Sequence, residues 1–136
     1  PILEYIWDNS NVKPKVVQNR FYAATGWDIG LREFCKENSI EYQSFWTLTG
    51  NPKFLGIPLV TRAAEEIGVS VEVAIYALVQ GLGITPINGT TSHIETDIAE
   101  LLKLEEWKAK GHNSETWGKT VRAFELLLQK WSLASY

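Results

Sequence analysis

The sequence contains no methionine, a single cysteine and no long apolar run. A lone cysteine, Cys35, excludes an internal disulfide and is typical of proteins from a reducing compartment such as the cytoplasm. The apolar runs stop well before the roughly 18 residues that a membrane-spanning helix needs, so we expect no membrane partner. The absence of methionine predicts that this chain was processed or belongs to a longer protein.

The sequence also lacks a basic stretch. Its formal net charge is −3, from 13 Lys and Arg against 16 Asp and Glu. Without a basic stripe the chain offers no surface to a phosphate backbone, and we expect no nucleic-acid partner. No His, Cys, Asp and Glu cluster has the spacing of metal ligands, so no metal site is expected. The 136 residues, 45% of them hydrophobic, are enough for one domain with its own core.

Three short apolar segments alternate with helical patterns along the chain. They are the predicted strands Lys15–Phe21, Ile40–Trp46 and Gly83–Ile87. Between the first two, Trp27–Asn38 has the apolar spacing of an amphipathic helix, and Cys35 belongs to its apolar set. We therefore expect Cys35 to pack against the core and not to act as a nucleophile. Strands that alternate with helices indicate an α/β fold built from parallel βα units.

The carboxyl ends of these strands are the candidate site, because ligands of parallel βα folds bind there. Polar, glycine and aromatic residues cluster at all three ends, in Gln18–Tyr22, Phe45–Thr49 and Asn88–Thr91.

Three segments carry a family resemblance. They are Lys13–Phe21 (KPKVVQNRF), Leu31–Phe45 (LREFCKENSIEYQSF) and Val71–Pro86 (VEVAIYALVQGLGITP). In order and spacing they resemble the last three strands, with two preceding helices, of the aldo-keto reductases. Those enzymes are (β/α)8 barrels that reduce aldehydes and ketones with NADPH. The resemblance implies a partial TIM barrel, 1–136, of about three parallel strands with flanking helices. The segments QNRFY and WTLTGNP differ from the best-known aldo-keto reductases and indicate a divergent branch of that family.

The resemblance also implies cofactor contacts. Gln18 takes the position that hydrogen-bonds the nicotinamide carboxamide, although a bond to protein inside a barrel explains the same residue. Phe45 takes the position of the aromatic that stacks on the nicotinamide, where the family has tyrosine; plain core packing is the alternative. The implied pyrophosphate and adenine contacts are Trp46, Thr47, Leu48, Thr49, Asn88, Gly89, Thr90 and Asp97.

Two cations of the family pattern are missing. Ile87 stands where the family has a lysine, and His93 where it has an arginine, both directed to the 2′-phosphate of NADPH. Since such cations make strong charge-assisted hydrogen bonds, their loss leaves the choice between NADP and NAD open.

No catalytic residue is predicted, because the family's Asp, Tyr, Lys and His tetrad comes from the first half of the barrel. We expect a fragment of a carbonyl reductase that does not turn over substrate alone. The alternatives are a non-catalytic, reductase-like binding or regulatory subunit on the same scaffold, and an unrelated βα domain. Three strands leave both sheet edges open, so self-association or pairing with the missing half barrel is expected.

Overall fold

The structure, a computed structural model, describes residues 2–89, 92–111 and 114–134. Three parallel strands form one sheet in the order β1-β2-β3. They are β1 (Val16–Arg20), β2 (Glu41–Phe45) and β3 (Thr85–Pro86). The predicted α/β fold, with three parallel strands and flanking helices, is thereby confirmed.

Six α-helices precede, separate and follow these strands in the described ranges. They are α1 (Ile2–Asn9), α2 (Ile29–Glu37), α3 (Pro58–Ile67), α4 (Val71–Gly81), α5 (Ile94–Ala109) and α6 (Ser114–Ala134). Residue chemistry explains several boundaries. Pro58 begins α3, where its missing N–H costs nothing, and Gly68 ends it with φ 81°. The Ser70 hydroxyl caps α4 by accepting a hydrogen bond from the Val73 N–H at 3.3 Å.

Two predicted boundaries need correction. The helix predicted over Trp27–Asn38 begins only at Ile29, because Trp27 and Asp28 adopt left-handed backbone angles, with φ of 58° and 51°. The Trp27 indole is buried, and its Nε1 donates to the Leu128 carbonyl at 2.7 Å, which holds this kink in place. The third strand is also shorter than predicted and begins only at Thr85, because Gly83 has a left-handed backbone with φ 78° and the Ile84 N–H donates back to the Val79 carbonyl of α4 at 3.4 Å.

The strands lie side by side in the sheet in the same order as in the sequence, with no reversal of strand order. Parallel connections are nearly always right-handed, so the helices that join strands ordered in this way fall on one face of the sheet. This winding is found in a segment of a closed barrel and in one half of a doubly wound sheet.

The two faces of the sheet differ in burial. Tyr42 and Ser44 of β2 point to one face and are buried. The other face carries the register pairs Gln18 with Gln43 and Arg20 with Phe45, whose side chains are half-buried or exposed. We call this second face the open face of the sheet.

An aromatic cluster forms the centre of the core. Phe54 lies with its ring centroid 5.6 Å from that of Trp27, 5.5 Å from that of Phe124 and 5.6 Å from that of Trp131. Phe21, directly after β1, joins the same cluster. Because Phe124 and Trp131 belong to α6, this cluster fixes the last helix against the segments that follow β1 and β2.

Candidate functional site

The carboxyl ends of β2 and β3 border a cleft of about 400 Å³. The chain after β2 and the chain after β3 both line it, and Tyr76 of α4 completes the wall. We call it the Phe45 cleft. It brings together most of the predicted cofactor contacts, namely Phe45, Trp46, Thr47, Leu48, Thr49, Asn88 and Gly89.

A second cleft of about 260 Å³ adjoins the first, since Leu48, Tyr76, Asn88 and Gly89 line both. We call it the Asp97 cleft, after the predicted adenine contact on α5. The Asn88 side chain donates from Nδ2 to Asp97 Oδ2 at 3.4 Å, so these two predicted residues meet. Thr90, also predicted as a contact, and Thr91, the end of the predicted range Asn88–Thr91, lie outside the described residues.

A tight turn over Trp46–Gly50 forms one wall of the Phe45 cleft. Trp46 has a left-handed backbone, with φ 54°, and the Gly50 N–H donates to its carbonyl at 2.8 Å. A Cβ on Gly50 would lie 2.6 Å from that carbonyl oxygen, so only glycine fits there. Asn51 stabilises the turn, because its Nδ2 donates to the carbonyls of Phe21 and Thr47 at 2.6 and 3.1 Å. A bulky residue with a positive φ is uncommon and tends to occur at functional sites.

The turn presents backbone donors without acceptors. Among the described residues, the N–H groups of Thr47, Leu48 and Thr49 have no protein acceptor. Three successive free amides of this kind make a site for anionic oxygens. The Thr47 hydroxyl is not part of it, because that side chain is buried and its Oγ1 lies 2.8 Å from Ser44 Oγ. The exposed Thr49 hydroxyl remains available to a ligand.

Gln18 does not line either cleft. It lies on the open face, where its Nε2 donates to Gln43 Oε1 at 3.2 Å, and Gln43 Nε2 in turn donates to Glu41 Oε1 at 2.9 Å. Its own Oε1 has no donor among the described residues. The structure therefore gives Gln18 a protein partner, as the alternative interpretation expected, while leaving its carbonyl oxygen open to a ligand on the same face as Phe45.

Tyr76 is a cleft residue that sequence reasoning missed. Helical spacing predicts Val73, Ala74, Ala77 and Leu78 of α4 to face inward, but the helix is buried on all sides from Val73 to Val79. Burial, with the nearby charges of Asp97 and Glu72, raises the pKa of Tyr76 to about 12. The hydroxyl therefore stays neutral at ordinary pH and can donate a hydrogen bond into either cleft.

A buried polar cluster lies on the covered face of the sheet. The Asp28 carboxylate accepts from Tyr42 Oη at 2.6 Å and from Asn19 Nδ2 at 2.7 Å. Burial first, and this hydrogen bond second, raise the pKa of Tyr42 far above its usual range. A tyrosine held neutral and bonded in this way is a structural support for the kink after β1, and it does not reach the Phe45 cleft.

A larger cavity of about 480 Å³ lies near the amino ends of the strands, between α2 and α6. Arg32, Lys36 and Glu125 line it, together with residues that precede β2 and β3. Ligands of parallel βα folds bind at the opposite ends of the strands, so volume alone does not make this cavity the site. Cys35, also at its wall, is 1% exposed, and burial raises the pKa of its thiol, which is unfavourable for a nucleophile.

In 2–89, 92–111 and 114–134 no three His, Cys, Asp or Glu side chains are placed to hold a metal ion. No helix in these ranges is both long enough and apolar enough to cross a membrane.

Comparisons with known proteins leave the family open. No protein-family model, curated protein or solved structure gives a significant match to this chain. A functional assignment therefore depends on the residues and geometry described above.

Proposed function

We propose that this chain supplies the nucleotide-binding side of an aldo-keto reductase-like (β/α)8 barrel, with NADH or NADPH as the ligand. One observation carries the proposal: the turn after β2 and the chain after β3 meet in the Phe45 cleft. The lining of this cleft includes a half-buried aromatic residue, Phe45, and three residues, Thr47–Thr49, whose backbone N–H groups have no acceptor among the described residues. A ring for stacking next to donors for phosphate is the combination that a nucleotide requires.

The open face of the sheet supports the partial-barrel part of the proposal. Sheets of parallel strands are almost always covered on both faces, yet Gln18, Gln43 and Phe45 remain partly or fully exposed. An uncovered face of this kind fits a sheet that is closed by the remaining strands of a longer barrel or by a second copy of the chain.

The residues of the clefts fit the proposed cofactor. Phe45 would stack on the nicotinamide, the amides of Thr47–Thr49 would bind the pyrophosphate, and Asn88 would lie towards the adenosine. The bound dinucleotide would supply hydride to a carbonyl substrate. These residues would bind the dinucleotide and shield one face of its reactive ring from water.

A second candidate is a binding or regulatory subunit without catalysis. The observation that favours it concerns the titratable groups that line the two clefts. Among the described residues, these groups are Tyr76, Glu72, His93 and Asp97. Tyr76 is the one tyrosine there, and its raised pKa of about 12 makes it a poor proton donor at neutral pH. Carbonyl reduction by the purified chain alone would rule this candidate out.

Phe45→Ala tests the proposal. Stacking on an aromatic side chain contributes about 1–3 kcal/mol per base, so we expect roughly tenfold weaker NADH binding. The measurement is quenching of tryptophan fluorescence during titration with NADH. Trp46 is 59% exposed beside the cleft, and Trp46→Phe identifies its share of the signal from the six tryptophans.

Tyr5→Ala is the matched control for Phe45→Ala, because Tyr5 is an exposed aromatic on α1 that lines neither cleft. Wild-type affinity in Tyr5→Ala and a clear loss in Phe45→Ala is the expected pair of results. Equal affinities in both variants would count against a role for Phe45 as the nicotinamide shelf.

The choice between the two nucleotides is tested by adding a cation. Within the described part of the chain, the lining of the Asp97 cleft includes the acidic side chains of Glu72 and Asp97 but neither Lys nor Arg. We expect the wild type to bind NADPH no more tightly than NADH. Ile87→Lys, at a site 38% exposed, should raise the NADPH affinity about tenfold relative to NADH, since hydrogen bonds to charged groups are the strong ones. Competition titrations of both nucleotides measure this ratio.

Leu126→Lys is the control for Ile87→Lys, because it adds the same charge on an exposed position of α6 outside both clefts. A shift of equal size in the two variants would mean that net charge, and not a contact to the 2′-phosphate, changes the ratio.

A further inference from the structure

Arg20 ends β1 on the open face, and it is the register partner of Phe45. Its guanidinium lies 4.2 Å from the ring centroid of Tyr22 and 5.1 Å from that of Trp46. Trp46 is itself a wall of the Phe45 cleft. The guanidinium therefore contacts two aromatic rings at the edge of the candidate site.

Among the described residues, none accepts a hydrogen bond from the Arg20 guanidinium, and none has a carboxylate within ion-pair distance of it. Its Nε is buried without a partner, whereas the two Nη nitrogens reach solvent. A buried donor without an acceptor is costly in a folded protein and calls for an explanation.

We propose that Arg20 is the anchor for an oxyanion, a carboxylate or phosphate group of the ligand that binds beside Phe45. The proposal deepens the proposed function by giving the ligand a negative charge near the proposed nicotinamide shelf. The inference rests on the proposed function in one respect, which is the identity of the molecule that carries the oxyanion.

Three properties favour an oxyanion over a purely structural role. The planar fork of arginine matches the two oxygens of a carboxylate or phosphate. The two rings hold the guanidinium in place before a ligand arrives, which lowers the entropic cost of binding. Among the described residues, the linings of the two clefts include neither lysine nor arginine, and Arg20, over the ring of the cleft residue Trp46, is the cation that the structure places at their edge.

The experiment uses benzoate, inorganic phosphate and the neutral benzamide as probes. The Arg20 Nε–H is shielded from water, so its proton should exchange slowly and be visible by NMR; the signal is assigned by its loss in Arg20→Lys. We expect benzoate or phosphate to shift this resonance saturably and benzamide to leave it unmoved. Arg20→Gln should weaken binding of the effective probe about tenfold or more, as measured by calorimetry.

The arms distinguish the sources of the oxyanion. A response to benzoate with unchanged NADH affinity in Arg20→Gln assigns the site to a substrate carboxylate. A response to phosphate with weakened NADH binding assigns it to the nucleotide. Arg62→Gln, which removes an exposed arginine of α3, should change neither.

The inference would be overturned if neither benzoate nor phosphate shifted the Arg20 resonance, or if benzamide shifted it equally. This measurement uses the wild-type protein, so it does not depend on the folding of a variant. The proposed function alone would be contradicted if NADH did not bind while benzoate or phosphate still shifted the Arg20 resonance.

Discussion

Phe54→Ala is expected to remove about 3–5 kcal/mol from the free energy of unfolding. The Phe54 side chain is fully buried and contacts the rings of Phe21, Trp27, Phe124 and Trp131. Its loss leaves a cavity at the point where α6 joins the rest of the molecule. Since domains of this size are stable by only about 5–15 kcal/mol, a large part of the stability is at stake. Urea unfolding followed by circular dichroism measures the effect.

Leu55→Ala is the neighbouring control. Leu55 follows Phe54 in the same 3-10 segment, Pro52–Gly56, but is 42% exposed. Its truncation should cost well under half as much, because less apolar surface returns to water and no closed cavity forms. Similar losses in the two variants would mean that the aromatic cluster is not the centre of the core.

Gly50→Ala is expected to weaken NADH binding between about tenfold and a hundredfold. The added methyl group would lie 2.6 Å from the Trp46 carbonyl oxygen, a backbone atom, so the turn must open. Opening it breaks the hydrogen bond from the Gly50 N–H and displaces the backbone amides of Thr47–Thr49, which have no acceptor among the described residues. Fluorescence titration with NADH measures the loss.

Gly56→Ala is the control for this change. A methyl group added at Gly56 would meet no atom of the surrounding structure within 4 Å, and the residue has no positive φ, so alanine fits there without strain. We expect wild-type NADH affinity in Gly56→Ala and the same urea stability within about 1 kcal/mol. If Gly50→Ala also binds like the wild type, the geometry of the turn is not required for the ligand.

The sequence predicted the first two strands well, because each is a short apolar run with turn residues at its ends. The predicted third strand was too long, since the N–H groups of Gly83 and Ile84 bond to the end of α4 and not to the ladder, which apolar character alone does not mark. The start of α2 was also misplaced. Trp27 fits a helical pattern, but the bond from its indole to Leu128, distant in sequence, selects a left-handed backbone.

The candidate site shows the same limit. Phe45–Thr49 and Asn88 were predicted from strand ends, because parallel strands bring their carboxyl ends together whatever the details of packing. Tyr76 was missed because α4 is buried on all sides, so periodicity does not mark a cleft residue. Arg20 lies in the predicted range Gln18–Tyr22, but its role was not predicted, because that role depends on two rings, Tyr22 and Trp46, that it contacts only in the folded chain.

The central claim is that the cleft between the ends of β2 and β3 binds a nicotinamide dinucleotide. Calorimetric titration of the wild-type chain with NADH tests it most directly. We predict saturable binding of one NADH per site, weakened in Phe45→Ala. Absence of saturable binding, or binding that is unchanged in both Phe45→Ala and Gly50→Ala, would contradict the claim.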